Sequence, residues 1–212
     1  MFNFDQHSLH HNKDLWRHTI SAVKHTPPDE LLRTTMLLHD LGKPMTVSVD
    51  ENGHCHFHNH PKLSSAMATT ILKRLKYPSA FISNVALLID NHDNRLVPTP
   101  GCLKSILRDI GSVNVDKLLT IQRADILAQS MYKRREKLET LDAVCDEYIR
   151  IIEEKECYSL EQMAVNGKDI IHLGVSKGEQ IGFILNALLD KIIQGQLDNT
   201  KESLLCYAEN LL

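Results

Sequence analysis

Proline and glycine divide a chain of helical periodicity into short segments, and this constrains the fold most. Amphipathic spacing over residues 15–23 is stopped by Pro27-Pro28. Asp29 opens a second segment, 30–41, with Leu31, Leu32, Leu37 and Leu38 apolar; Gly42 fits the position past a helix end, and Pro44 follows. The period then changes. Residues 46–49 alternate, Asp50-Glu51-Asn52-Gly53 reads as a turn, and residues 54–58 alternate again, which predicts a β-hairpin. Helices are expected over 61–75, with proline in the first turn, over 79–91, near 102–110 after a loop bearing Pro98, Pro100 and Gly101, and over 114–129. A long charged helix, about 131–156, closes the first unit. Beyond Ser159, Asn166-Gly167, Gly174, Gly178, Gly182 and Gly195 punctuate short helices, the last over 200–211. The expected fold is all-α, with a small β-hairpin insertion and a boundary near residue 157.

Charge and apolar content narrow the function classes. Of the 212 residues, 42% are hydrophobic and 24% charged, enough apolar material for a core. The longest apolar run, residues 85–89, is too short to cross a bilayer. The N-terminal residues lack the basic-then-apolar layout of a secretion signal. Five cysteines (Cys55, Cys102, Cys145, Cys157 and Cys206) form no CxxC pair, which suits free thiols in the cytoplasm. The net charge of −3 gives no global field favouring nucleic acid.

Eleven of the twelve histidines lie at or before residue 92, and only His172 lies beyond. His39-Asp40 stands at the end of an apolar helix among Leu37, Leu38 and Leu41, where an unpaired carboxylate would cost on the order of several kcal/mol. A divalent cation would satisfy both, taking an imidazole nitrogen and a carboxylate oxygen. The plain alternative is a helix-terminal histidine beside a solvated aspartate. Asp125 lies inside the apolar stretch 118–127, where acids are rarely buried unpaired; Arg123 is its alternative partner. His18 sits among apolar positions of the first helix, where a hydrogen-bonded core histidine is the commoner use. Together His18, His39, Asp40 and Asp125 make one ligand set for a hard or borderline metal. His54, His56 and His58 share a strand face, read here as the solvated face of the hairpin. His7, His10 and His11 precede the first helix, and His25, on the face of His18, is a reserve ligand.

The order His18, His39-Asp40, Asp125 resembles the HD superfamily of metal-dependent phosphohydrolases, and His39-Asp40-Leu41-Gly42-Lys43 matches its signature closely. Trp16-Arg17-His18-Thr19, residues 37–46, Phe57-His58-Asn59-His60 and Arg123-Ala124-Asp125 look like the HD domain of bacterial CCA-adding tRNA nucleotidyltransferases. Val165-Asn166-Gly167-Lys168-Asp169-Ile170, Leu173-Gly174, Gly178, Gly182 and Asn199 look like that family's helical C-terminal region, so the resemblance covers nearly the whole chain. It implies an HD helical bundle over 1–157 and a helical tail over 158–212. It also implies two further metal ligands, His60 and His92. Two cations about 3.5–4 Å apart, sharing Asp40, would suit phosphoester hydrolysis. The donor set does not distinguish Mn, Fe, Co, Ni, Mg and Zn, nor one ion from two. Lys43, inside the motif, would hold a substrate phosphate, making Asp40 and Lys43 the catalytic residues. Asp93 is a candidate general acid, and Arg95 and Arg108 are weaker phosphate candidates.

The chain departs from the family where Gly-His-Glu is common and Asn59-His60-Pro61 stands instead. The Gly-Ser element and paired aspartates of the nucleotidyltransferase head have no match, so nucleotide addition by this chain alone is not expected. The resemblance implies a hydrolase of a nucleotide or RNA-end phosphoester, of 2′,3′-cyclic phosphodiesterase, 2′-nucleotidase or phosphatase type. The alternative is a non-catalytic tRNA- or RNA-binding accessory module. Against it, residues 131–212 carry 10 basic and 15 acidic residues, and Lys133-Arg134-Arg135-Lys137 is the one local basic cluster.

Overall fold

The computed structural model describes residues 1, 4, 14–51 and 55–211. His7, His10, His11 and His54 lie outside them. The described chain is mostly helical with one two-stranded hairpin, so the all-α expectation holds.

Helix α1, Leu15–His25, begins where the Asp14 carboxylate accepts the Arg17 N–H at 2.8 Å. It buries Leu15, His18, Thr19 and Ala22, the spacing of a single helical face. Helix α2, Glu30–Leu38, is capped in the same way by Asp29 on Leu32 N–H and buries Leu32, Thr35 and Met36. It ends three residues before the expected Leu41. A turn over 39–42 leads into a one-turn helix, α3 (Lys43–Thr46), which the alternation from Thr46 had hidden.

Strands β1, Val47–Val49, and β2, Cys55–Phe57, pair antiparallel with Val47 opposite Phe57. Helices α4, His60–Arg74, and α5, Ser79–Asn91, follow. They pack with the end of α2 around Leu38, Ala68, Leu72, Ile82, Val85 and Ile89. Burying each of the leucine, isoleucine and valine side chains contributes roughly 1.5–3 kcal/mol. Helices α6 (Pro100–Ile110), α7 (Ser112–Ala128), α8 (Arg134–Glu153), α9 (Gly167–His172), α10 (Gly178–Ile193) and α11 (Lys201–Glu209) complete the chain.

The chain forms two compact units, Met1–Arg95 with Ser112–Asp142, and Leu96–Gly111 with Ala143–Leu212. This division falls inside α8, and α6 groups with the C-terminal helices. In the second unit Ile170, Ile184, Leu188, Leu189, Ile192 and Leu204 form the centre of a separate core. Arg108, on α6, pairs there with Asp190. Among the described residues no helix is long and apolar enough to cross a membrane, and all five cysteines are free thiols.

Candidate metal centre

Within the first unit, polar side chains continue the apolar stripes of their helices. His18 lies between Leu15 and Ala22 on the buried face of α1, and His39 extends the stripe of Leu32, Thr35 and Met36 beyond the end of α2. His60 precedes Ser64, Ala68 and Leu72 at the spacing of one α4 face, and His92 continues Ile82, Val85 and Ile89 past α5. Asp125 follows buried Ala124 on α7. Packing these stripes together carries every polar tip to one place. His18 and His39 are 1% exposed and Asp40 is fully buried.

Asp40 is the hub. Its Oδ2 lies 3.1 Å from His39 Nε2, 3.6 Å from His18 Nε2 and 2.8 Å from Lys43 Nζ. Its Oδ1 lies 3.4 Å from His60 Nε2 and 3.7 Å from His92 Nε2. Asp125 Oδ1 stands 3.0 Å from His18 Nε2 and 3.6 Å from His39 Nε2. Two groups able to hold a cation share this aspartate: His18, His39 and Asp40, and Asp40, His60 and His92.

The separations fit ligands better than hydrogen bonds. His39 Nε2 and Asp40 Oδ1 are buried without a partner of hydrogen-bond geometry, while Asp40 Oδ2 faces the Lys43 ammonium at 2.8 Å. Leaving such atoms unsatisfied costs about 1–3 kcal/mol each. Atoms bound at about 2.1 Å to one cation, with tetrahedral or octahedral angles, lie about 3.0–3.4 Å apart. Of the imidazole–carboxylate separations, His18–Asp125, His39–Asp40 and His60–Asp40 fall within that range, and the other three, at 3.6–3.7 Å, lie just beyond it. The far sides of three rings agree: Nδ1 of His39, His60 and His92 stands 2.7, 2.8 and 2.6 Å from the carbonyls of Met36, Phe57 and Ile89. An Nδ1–H donated to each carbonyl leaves the Nε2 lone pair facing the centre. His60 Nε2 and His92 Nε2, 3.3 Å apart, then present two lone pairs to one point.

Electrostatics without a cation show how strongly the site wants positive charge. Burial would lower the His39 pKa, but the Asp40 and Asp125 carboxylates override it and push it up to about 10. Burial would raise Asp40, yet the His39 and Lys43 charges hold it well below the usual carboxylate range. Asp125 is held low against its own burial by His18 and His39.

Local sequence explains how the candidate ligands are aimed. Gly42 is not a left-handed cap: its φ is −77°. A side chain there would meet His60 O at 2.8 Å and Ser64 N at 3.0 Å, so glycine lets the His39-Asp40 turn close onto the start of α4. Gly42 N–H donates to buried Ser64 Oγ at 2.9 Å. Asn59 takes φ 61°, a left-handed conformation that asparagine tolerates, and Pro61 occupies the first turn of α4.

Other residues named from sequence lie elsewhere. His25 is exposed and bonded to its own helix at Ser21 O. His56 and His58 stack on the exposed hairpin, with Asp50 beside His56. Asp93 and Arg95 are exposed on the turn after His92, a turn that Gln122 Nε2 pins through His92 O and Asn94 O. Arg123 pairs with Asp142, while Asp125 Oδ2 accepts from Gln129 Nε2 at 2.7 Å. Gln129 went unnoticed in the sequence, although four residues after Asp125 on one helix is a spacing that favours such a bond.

Comparison with known proteins agrees on lineage. The chain is 26% identical over 200 residues to the A-adding tRNA nucleotidyltransferase of Deinococcus radiodurans, covering 91% of this chain and 46% of that protein. It is 28% identical over 200 residues to the CC-adding tRNA nucleotidyltransferase of Thermus thermophilus, covering 91% and 44%. The chain thus spans less than half the length of these relatives. No solved structure matches it significantly. Residues 48–208, more than half of the chain, match the family model described as "tRNA nucleotidyltransferase domain 2 putative" and include His60, His92 and Asp125; by that match the chain belongs to this family.

Proposed function

We propose that the chain is an HD-type, metal-dependent phosphohydrolase acting on a phosphoester of a nucleotide or RNA end. The observation that carries this reading is the convergence of four imidazole Nε2 atoms and two carboxylates on one buried centre. His18, His39, Asp40 and Asp125 would hold one divalent cation, and Asp40, His60 and His92 a second. Divalent ions there would supply charge neutralisation at the phosphate and acidify a coordinated water. The chain's own residues do the rest. Asp40 offers one oxygen to each group, and the carbonyls behind His39, His60 and His92 hold the Nδ1 side of each ring and keep the Nε2 atoms aimed at the centre. Lys43, 2.8 Å from Asp40 Oδ2, adds the fixed positive charge that steadies the substrate phosphate. Catalysis is then assigned to residues 1–157 and a helical appendage to 158–212, in a cytoplasm that keeps the five thiols reduced.

The test replaces His39 and Asp40 separately with Ala and assays 2′,3′-cyclic nucleotides, 2′-nucleotides and simple phosphomonoesters with several divalent metals. Metal-dependent turnover lost in both variants is the expected result; turnover unchanged by either overturns the assignment. The tRNA nucleotidyltransferase relatives favour a second reading, a non-catalytic module that contacts tRNA. Tight, salt-dependent tRNA binding without metal-dependent hydrolysis would select it.

A further inference from the structure

Asp125 turns one carboxylate oxygen to the histidines, and its other oxygen is held from behind. Oδ1 lies 3.0 Å from His18 Nε2, whereas Oδ2 accepts from Gln129 Nε2 at 2.7 Å. Gln129 is itself fixed on three sides. Its main-chain N–H points back to the carbonyls of Asp125 and Ile126 at 3.1 and 3.3 Å. Its main-chain carbonyl accepts from the Arg134 guanidinium, and its side-chain Oε1 accepts from Lys137 Nζ. An ammonium only donates, so it must face the amide oxygen, which leaves the NH2 end for Asp125. The orientation of the amide is therefore dictated by its neighbours.

We propose that Gln129, held by Lys137, is a positioning residue that fixes Asp125 as a one-oxygen ligand of the cation site formed with His18, His39 and Asp40. The inference rests on the metal reading above and extends it to the groups that aim a ligand. An aspartate carboxylate otherwise rotates in a broad torsional well and offers either oxygen or both. Outer groups that orient a ligand are typically worth 10–100-fold in metal affinity. The relay also carries charge: Lys137, on α8, faces Asp125 through a neutral amide and so balances the carboxylate without competing for the cation.

Mn2+ alone serves as the probe, titrated into the full chain by calorimetry and followed by its electron paramagnetic resonance spectrum. Gln129→Met keeps the size and removes the donor, and Gln129→Glu keeps a partner for Lys137 but sets a carboxylate against Asp125. Both are expected to bind Mn2+ about 10–100-fold more weakly, with an altered spectrum and an unchanged metal-free unfolding midpoint. In an Asp125→Ala background, Gln129→Met should change affinity by no more than about twofold, because the residue it orients is gone. Wild-type affinity in Gln129→Met, or an equal loss in the Asp125→Ala background, overturns the inference while leaving the metal reading intact. A wild-type chain that takes up no Mn2+ or other divalent ion overturns both. Should Gln129→Met fail to fold, Lys137→Met, which releases the amide oxygen, must weaken Mn2+ binding, or the inference falls.

Discussion

At the scale of single residues, the candidate ligands stand out because each breaks the chemistry of its surroundings. A histidine or aspartate inside an apolar stripe costs free energy unless something satisfies it, and that cost is visible in sequence. Gly42 shows what is not visible. Past a leucine-rich helix it reads as a left-handed terminator, but its φ is −77° and its function is to have no Cβ. The need comes from His60 O and Ser64 N, residues distant in sequence, so no local pattern announces it. Gly42→Ala should therefore cost about 1–3 kcal/mol in urea unfolding and weaken Mn2+ binding, because backbone on α4 must move; an unchanged midpoint contradicts the close approach. His39 supports a second prediction. With its metal-free pKa pushed up to about 10, it is protonated at pH 7, whereas Asp40, held low, is not. A cation must displace the His39 proton, so affinity should rise with pH up to about 10, and binding at pH 7 should release a proton. Calorimetry in two buffers of different ionisation enthalpy reads that release directly; equal heats in both would contradict it.

At the scale of elements, helices with strong stripes and side-chain caps sat where expected, and the irregular pieces did not. The turn at 39–42 and the short α3 escaped notice because four residues carry no period, and Thr46 to Val49 alternates convincingly enough to resemble a longer strand. In the C-terminal unit the Asn166-Gly167 pair read only as punctuation. It is the start of α9: Asn166 Oδ1 accepts Lys168 N–H at 2.9 Å, and Asp169 Oδ2 accepts Asn166 N–H at 2.9 Å. Lys201 Nζ, 2.6 Å from Asp169 Oδ1, and the Asn166 N–H hold the Asp169 pKa below its usual value. A depressed carboxylate contributes stability that is present above its unfolded pKa of roughly 4 and lost as pH falls through the lower folded value. Asp169→Asn should thus be less stable than the wild type at pH 7, and the difference should shrink as pH falls below about 4. Urea unfolding followed at both pH values checks the sign.

At the scale of the whole molecule, composition and periodicity indicated the all-α class, but not how the chain is shared between its two units. Residues 96–111 group with 143–212, and that grouping follows from long-range packing of apolar faces such as those of α6 and α10, which a linear reading of punctuation cannot see. The division has a thermodynamic consequence. Every residue of the candidate centre, His18, His39, Asp40, Lys43, His60, His92 and Asp125, belongs to the first unit. A cation that binds the folded unit stabilises it by RT ln(1 + [L]/Kd), about 2.7 kcal/mol at a hundredfold excess over Kd. Adding Mn2+ should slow amide hydrogen exchange around the 39–42 turn and the starts of α3 and α4, where ligands from separate helices must come together. Exchange in α9, α10 and α11, whose core holds no such cluster, should change far less. His39→Ala should abolish the protection without altering exchange in those three helices. Uniform protection of both units, or protection that survives His39→Ala, would mean that the cation acts somewhere other than at this centre.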